Sequence, residues 1–212
     1  MDIMSDILKH PEKTALLVID IVNSCCHKEC EDPSIGITYG KIREMVDGRL
    51  LGFVGKYRQQ INKNVIIVGL TPWTRDYLPE NIVRLYDESP EVAYFGEEGF
   101  EEEFYHIEPA ETDFVVKKNA YDCFASPELI DYLEQRGITD LVVCGVFTDG
   151  CVLSSIISGF SKGYNFIIPR DLVETTDLPA RQELQSLLLD YTFPMQYGKV
   201  VDSSEILTGK VE

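Results

Sequence analysis

The 212-residue sequence lacks any run of about 18 consecutive apolar residues, so no membrane-spanning helix is expected. Basic residues are scarce: 19 lysines and arginines stand against 36 aspartates and glutamates, giving a formal net charge of −17. Such an acidic surface argues against nucleic acid and anionic membranes as partners. The first residues lack the basic character of a secretory signal peptide and carry acids at Asp2 and Asp6, so we expect a cytoplasmic protein.

Cysteine and histidine usage indicates neither a disulfide framework nor a zinc site. Residues 25–30 hold three cysteines and His27, but these candidate ligands are crowded, and no second Cys/His pair follows at zinc-finger spacing. We interpret the segment as the loop after the first strand and predict no metal. In a cytosolic chain of this size, all six cysteines are expected to be free thiols: Cys25, Cys26, Cys30, Cys123, Cys144 and Cys151.

Short apolar runs alternate with helical patterns along the chain. Strands are predicted over residues 14–19, 64–70, 112–117, 141–146, 164–168 and 198–201. Helical spacing covers residues 35–62, 126–136, 153–163 and 179–191, while residues 71–107 read as a long excursion over one edge of the sheet. Nearly continuous apolar strands separated by helices predict an α/β fold with a three-layer, doubly wound, mostly parallel sheet of about six strands. We expect one domain over residues 1–212.

Three chemically useful side chains lie at or just past the ends of predicted strands. Cys151 stands where a strand turns into a helix, and the free N–H groups there favour a thiolate. Asp20 ends the first strand and is the best candidate base, because no histidine lies at a strand end; Lys118 could stabilise developing negative charge. The alternatives are a buried structural cysteine, an aspartate turn or cap, and a surface lysine. Parallel strands bring their carboxyl ends to one edge, so we expect the three groups to meet there.

Three sequence blocks carry a resemblance to a known family. They are residues 16–23 (LLVIDIVN), 115–124 (VVKKNAYDCF) and 145–152 (GVFTDGCV), and the third is the most specific. In this order the chain resembles the isochorismatase-like cysteine hydrolase superfamily, which includes nicotinamidases and N-carbamoylsarcosine amidohydrolases. In the second block a lysine lies three residues before a tyrosine, which selects Lys118 rather than Lys117.

The resemblance implies a role for each matching residue. Asp20 would be the general base, Lys118 its electrostatic partner and Cys151 the nucleophile. A cis peptide is implied between Val146 and Phe147, with the N–H groups of Phe147 and Cys151 forming an oxyanion hole. A homodimer or homotetramer is also implied.

The departures from the family pattern concern metal and substrate. Metal-binding nicotinamidases have a histidine where this sequence has Leu78, so the resemblance implies no catalytic metal, and no cofactor is predicted. Val22 replaces a glutamine that is common after the catalytic aspartate. We expect an aromatic pocket wall from residues that could equally belong to the core: Trp73, Tyr121, Phe124 and Phe147.

The leading functional hypothesis is hydrolysis of a small amide, ureido or carbamoyl compound through a thioester on Cys151. Family members that cleave the isochorismate vinyl ether lack the nucleophilic cysteine, so the presence of Cys151 favours attack on a C–N bond. Two alternatives stay open. One is an isochorismatase-type hydrolase that does not use the thiol, and the other is a non-catalytic binding protein on the same fold.

Overall fold

The computed structural model describes residues 10–89, 94–96 and 99–208. Their central feature is one sheet of seven strands. The strands are β1 (Thr14–Ile19), β2 (Val65–Leu70), β3 (Phe114–Lys118), β4 (Asp140–Val146), β5 (Asn165–Pro169), β6 (Val173–Glu174) and β7 (Gly198–Val201). Every pairing within this sheet is parallel.

The strand order is β3-β2-β1-β4-β5-β7, with β6 beside β4. Successive strands are added on one side of β1 up to β3 and on its other side from β4 onward, so the switch point lies between β1 and β4. At this switch point Ile19 lies opposite Gly145 in the register. Gly145 has φ of +118°, and a Cβ there would lie 2.1 Å from the Ile19 carbonyl oxygen, so only glycine fits. Ligands of such sheets bind in the crevice at the carboxyl ends of the strands beside this point.

Helices cover the sheet on two faces. They are α1 (Asn23–Cys26), α2 (Gly40–Met45), α3 (Leu51–Gln60), α4 (Glu80–Glu88), α5 (Pro127–Gln135), α6 (Leu153–Ser161), α7 (Pro179–Leu187), α8 (Phe193–Gln196) and α9 (Ser203–Thr208). Wide π-helical turns join α2 to α3 (Val46–Leu50), lead into α6 (Thr148–Val152), and join α7 to α8 (Leu188–Thr192). No described helix is long and apolar enough to cross a membrane.

Alternate residues of the central strands pack into two separate hydrophobic cores, one on each face of the sheet. Leu16 and Val18 face a core that includes residues of α2 and α3, whereas Leu17 and Ile19 face one that includes α5 and α6. Because both faces are covered, the strands are apolar throughout rather than alternating. The predicted three-layer, doubly wound α/β fold is confirmed. The two-residue strand β6 and the helix α4 were not predicted. The predicted helix over residues 35–62 begins only at Gly40 and is divided into α2 and α3 by the wide turn at Val46–Leu50.

Candidate active site

Asp20, Lys118 and Cys151 meet at the carboxyl edge of the sheet. Asp20 directly follows β1, Lys118 is the last residue of β3, and Cys151 lies in the turn after β4. Lys118 Nζ lies 2.8 Å from Asp20 Oδ2 and donates a hydrogen bond to Cys151 Sγ at 3.4 Å. It also donates to the Ala120 carbonyl oxygen at 2.9 Å. All three side chains are buried, so they form a compact polar group inside the protein.

The backbone turns sharply at Asp20 to present its carboxylate at this edge. Asp20 has φ of +54°, a left-handed conformation that is uncommon outside glycine but more accessible to aspartate than to most residues. Its N–H still donates to the Val68 carbonyl oxygen at 3.0 Å, which ties the turn to β2. The carboxylate is therefore held by the backbone of the sheet rather than by a mobile loop.

Burial sets the protonation of this group. Desolvation and the charge of Asp20 raise the pKa of the Cys151 thiol well above its ordinary value, and Lys118 only partly offsets this. Burial also raises the pKa of Asp20 against the opposing effect of Lys118. For Lys118, burial is the largest single effect and favours the neutral amine, but Asp20 together with Cys151 and Cys123 outweighs it and raises the pKa. Burial thus favours the thiol over the thiolate at Cys151, in opposition to the effect expected from the helix terminus.

The turn that carries Cys151 is kinked rather than continuously helical. Gly150 has non-helical angles within it, and the Phe147 carbonyl oxygen accepts hydrogen bonds from the N–H groups of Gly150 (2.9 Å) and Val152 (3.1 Å). The peptide bond between Val146 and Phe147 is cis, as the resemblance implied.

An ion pair fixes this turn to α7. Arg181 donates from Nε and Nη2 to the two carboxylate oxygens of Asp149, each at 2.7 Å, and Thr175 Oγ1 donates to Asp149 at 2.6 Å. The Arg181 guanidinium also lies 4.8 Å from the centroid of the Phe147 ring. Sequence reasoning missed Arg181, because nothing in the pattern of α7 distinguishes it from a surface arginine.

A cavity of about 880 Å³ opens above Cys151 and Asp20. Trp73 and Tyr121 line it, with their ring centroids 6.0 Å apart, and Phe147 lines it as well. Phe124 requires a correction: it lies in the core beneath α6, stacked on Tyr164 at 5.3 Å, and does not reach the cavity. The sequence shows an aromatic residue near Lys118 but not that the turn at residues 123–125 directs it to the other side of the sheet.

The excursion over residues 71–107 supplies much of the cavity wall. Tyr86 comes from α4, and Tyr94, Phe95 and Phe100 follow it. Sequence reasoning did not name these residues, because the segment shows no strand end or motif that would place them. Leu78, which replaces the metal-ligating histidine of the nicotinamidase pattern, is buried in the core.

The fold and the site define a doubly wound α/β protein with an aspartate, a lysine and a cysteine grouped at its switch point. Residues 14–201 match the family model described as the isochorismatase domain, so the chain belongs to the isochorismatase family. The resemblance stated from the sequence blocks is thereby confirmed.

Relatives and solved structures agree with this membership. Streptothricin hydrolase from Streptomyces noursei is 36% identical over 74 residues, which cover 35% of this chain and only 29% of that relative. Ureidoacrylate amidohydrolase RutB from Klebsiella pneumoniae is 24% identical over 172 residues, covering 76% of this chain and 73% of the relative. A cysteine hydrolase from Pseudomonas syringae pv. phaseolicola shares the fold, with a TM-score of 0.78, 20% identity, and coverage of 94% and 92% of the two chains.

Proposed function

We propose that this chain is a cysteine-dependent amidohydrolase that cleaves a small amide, ureido or carbamoyl C–N bond through a thioester on Cys151. The observation that carries the proposal is the buried contact group: Lys118 Nζ lies within 3.4 Å of both Asp20 Oδ2 and Cys151 Sγ, below an open cavity. A nucleophile, a base and a cation within reach of one another are what covalent acyl transfer requires. The relative RutB is a ureidoacrylate amidohydrolase, which supports the same bond class.

Acylation begins with proton transfer from the Cys151 thiol to the Asp20 carboxylate. The thiol has a raised pKa, so it needs this base as the attack occurs. Sγ then bonds to the substrate carbonyl carbon, and the carbonyl oxygen takes up the negative charge. The protonated Asp20 passes its proton to the leaving nitrogen, the C–N bond breaks, and ammonia or an amine departs from the thioester.

The oxyanion is stabilised by the N–H groups of Phe147 and Cys151 in this proposal, and Lys118 stabilises the negative charge that Asp20 and Cys151 share. Loss of one such donor typically raises a barrier by roughly 3–4 kcal/mol. In deacylation, Asp20 removes a proton from water, the hydroxide attacks the thioester carbon, and the C–S bond breaks. The acid product leaves, and Cys151 regains its proton.

The test is turnover of a panel of primary amides, ureido compounds and N-carbamoyl amino acids by the wild type, Cys151→Ala and Asp20→Asn. We expect both variants to lose turnover, and quenched wild-type reactions to show an acyl adduct on the peptide that contains Cys151. Cys144→Ala, which removes a buried thiol that does not line the cavity, is the matched control and should keep normal rates.

Activity that survives Cys151→Ala but not Asp20→Asn would overturn the thioester mechanism in favour of the thiol-independent hydrolase. Absence of turnover and of any acyl adduct across the whole panel would favour the binding protein.

A further inference from the structure

We propose that the cavity selects amides whose non-reacting part is an apolar ring system without negative charge, and that it rejects carboxylate-bearing amides. This rests on the proposed function and deepens it, because it names the chemical class of the substrate. Two features carry it: a cluster of aromatic rings on one wall, and the absence of an unpaired cation among the described lining residues.

The aromatic wall is built around Trp73, which is almost fully buried. Its ring centroid lies 6.0 Å from Tyr121, 6.4 Å from Phe95 and 6.5 Å from Tyr86. Rings at such separations, in tilted arrangements, are typical of surfaces that hold a further ring by stacking or edge contacts. The volume of about 880 Å³ is also far more than acetamide or urea would fill, and it suits a drug-sized ligand.

A second ring pair also lines the cavity. Tyr39 and Phe147 lie stacked with their centroids 6.0 Å apart, and both line the cavity. Phe147 is adjacent in sequence to the nucleophile turn. A substrate ring held against Phe147 would therefore lie close to the turn that carries Cys151.

Three cations at or near the cavity, Arg181, Lys118 and Arg75, are each paired with a carboxylate. Arg181 is the one basic residue among the described lining residues, and it donates two hydrogen bonds, from Nε and Nη2, to the Asp149 carboxylate. Lys118 beneath the floor is paired with Asp20, and Arg75, which lies 5.2 Å from the Tyr94 ring, is paired with Asp87. Residues 90–93 and 97–98 contain no lysine or arginine in sequence.

Acidic side chains also line the cavity, at Glu29, Asp32 and Glu101. A substrate carboxylate would lose its water there without gaining a charged hydrogen-bond donor, and it would meet like charges. A neutral ring avoids this cost, and a cationic group gains from both the carboxylates and the ring faces.

The experiment uses methanethiosulfonate reagents that differ only in the transferred group: methyl, benzyl, trimethylammonioethyl and sulfonatoethyl. Each transfers its sulfur-bearing group to Cys151 Sγ as a disulfide and releases methanesulfinate. Rates at the Cys151 peptide are followed by mass spectrometry and divided by the rates with N-acetylcysteine amide, a neutral free thiol. This division removes the intrinsic reactivity of each reagent.

We expect the normalised rate to be at least about tenfold higher for the cationic than for the anionic reagent. We also expect at least about a tenfold preference for benzyl over methyl. An anionic reagent that reacts as fast as the cationic one, or a methyl reagent as fast as the benzyl one, would overturn the proposal.

Variants separate the two features. Trp73→Ala should remove the benzyl preference and keep the charge preference, whereas Glu101→Gln should do the reverse. Tyr77→Ala, an exposed ring outside the cavity, is the matched control and should change neither. If Trp73→Ala does not fold, Tyr121→Ala at the more exposed side of the wall gives the same readout.

Labelling needs only a thiol at position 151, so its outcome is independent of whether Cys151 acts as the nucleophile. Activity that persists in Cys151→Ala would overturn the proposed function and leave the selectivity result standing. Where an amide is turned over, adding a carboxylate to its ring should lower kcat/KM by at least about tenfold.

Discussion

Asp20 and Lys118 are opposite charges held 2.8 Å apart in a site almost closed to water. Removing one partner leaves the other buried and uncompensated, which typically costs about 3–5 kcal/mol. We therefore expect Asp20→Asn to lower the free energy of unfolding by this amount, measured by urea denaturation at pH 7. The double variant Asp20→Asn/Lys118→Met, which removes both charges, should recover most of the stability but no activity.

Equal stability of Asp20→Asn and the wild type would show that water or a shift of Lys118 compensates the lost carboxylate. Asp190→Asn, which removes an acid from an exposed ion pair, is the control and should cost little.

The thiol itself gives a prediction with a definite sign. Burial and the negative charge of Asp20 raise the pKa of Cys151, and the positive charge of Lys118 lowers it. Asp20→Asn removes the negative charge and leaves the positive one, so the pKa of Cys151 should fall and the thiolate should form at lower pH. We expect the midpoint of the iodoacetamide labelling rate at Cys151 against pH to move down in Asp20→Asn while amide turnover is lost.

Mass spectrometry of the Cys151 peptide is essential for this measurement, because Asp20 also raises the pKa of Cys25. A midpoint that stays or rises in Asp20→Asn would mean that the carboxylate activates the thiol already in the resting site.

Individual residues differ in how far the sequence could locate them. Asp20 and Cys151 could be located because continuous apolar strands precede them and parallel strands end at one edge. Lys118 was selected over Lys117 by its spacing to Tyr121 in the block that resembles the family. Trp73 could be named as aromatic but not placed, since a loop determines its direction. The sequence could neither place the Phe124 side chain nor reveal the contact of Arg181 with Asp149. Both depend on packing between segments that are distant in sequence, which no local pattern records.

At the level of elements, the turn before α6 depends on a helix far along the chain. Arg181 on α7 binds Asp149, two residues before Cys151, and lies against Phe147. We expect Arg181→Gln to lower kcat by roughly 10- to 100-fold with a smaller change in KM, because small misplacement of a nucleophile is costly. Arg181→Lys should restore part of the loss, since it keeps the charge but not the two-pronged geometry.

Arg170→Gln is the matched control, because Arg170 forms an exposed pair with Asp190 away from the cavity. An effect of Arg181→Gln confined to KM would indicate direct substrate binding instead of positioning.

Element boundaries followed from the sequence where the chain is regular. The five long strands begin and end within two residues of their predicted limits, because buried parallel strands are continuously apolar and stop at polar or turn residues. The wide turn at Val46–Leu50 was not predicted, since it keeps nearly helical spacing. The helix Glu80–Glu88 was missed because the segment around it is rich in acids and prolines.

For the whole molecule, the net charge of −17 is a source of self-repulsion. Salt screens repulsion between exposed charges, so we expect Tm to rise between about 20 mM and about 300 mM NaCl at pH 7.5. A gain of about 1 kcal/mol would raise Tm by about 2–4 °C in a chain of this size. Near pH 4.5, close to the isoelectric point, the same salt step should have a much smaller effect.

A Tm that falls with salt at pH 7.5 would instead mean that favourable ion pairs outweigh the repulsion. The assembly expected from the family resemblance, a homodimer or homotetramer, and the expected cytoplasmic location stay predictions.

The parallel register that joins β1 to β4 has a consequence for the timing of protein synthesis. Asp20 and Lys118 leave the ribosome before Cys151, and β4 must insert beside β1, with Gly145 against Ile19, before the cysteine reaches them. A nascent chain that ends before β4 carries Asp20 and Lys118 but lacks both Cys151 and the strand that positions it. The catalytic group that we propose can therefore assemble only after β4 has been synthesised, and the Arg181 contact that fixes its turn only after α7 has followed.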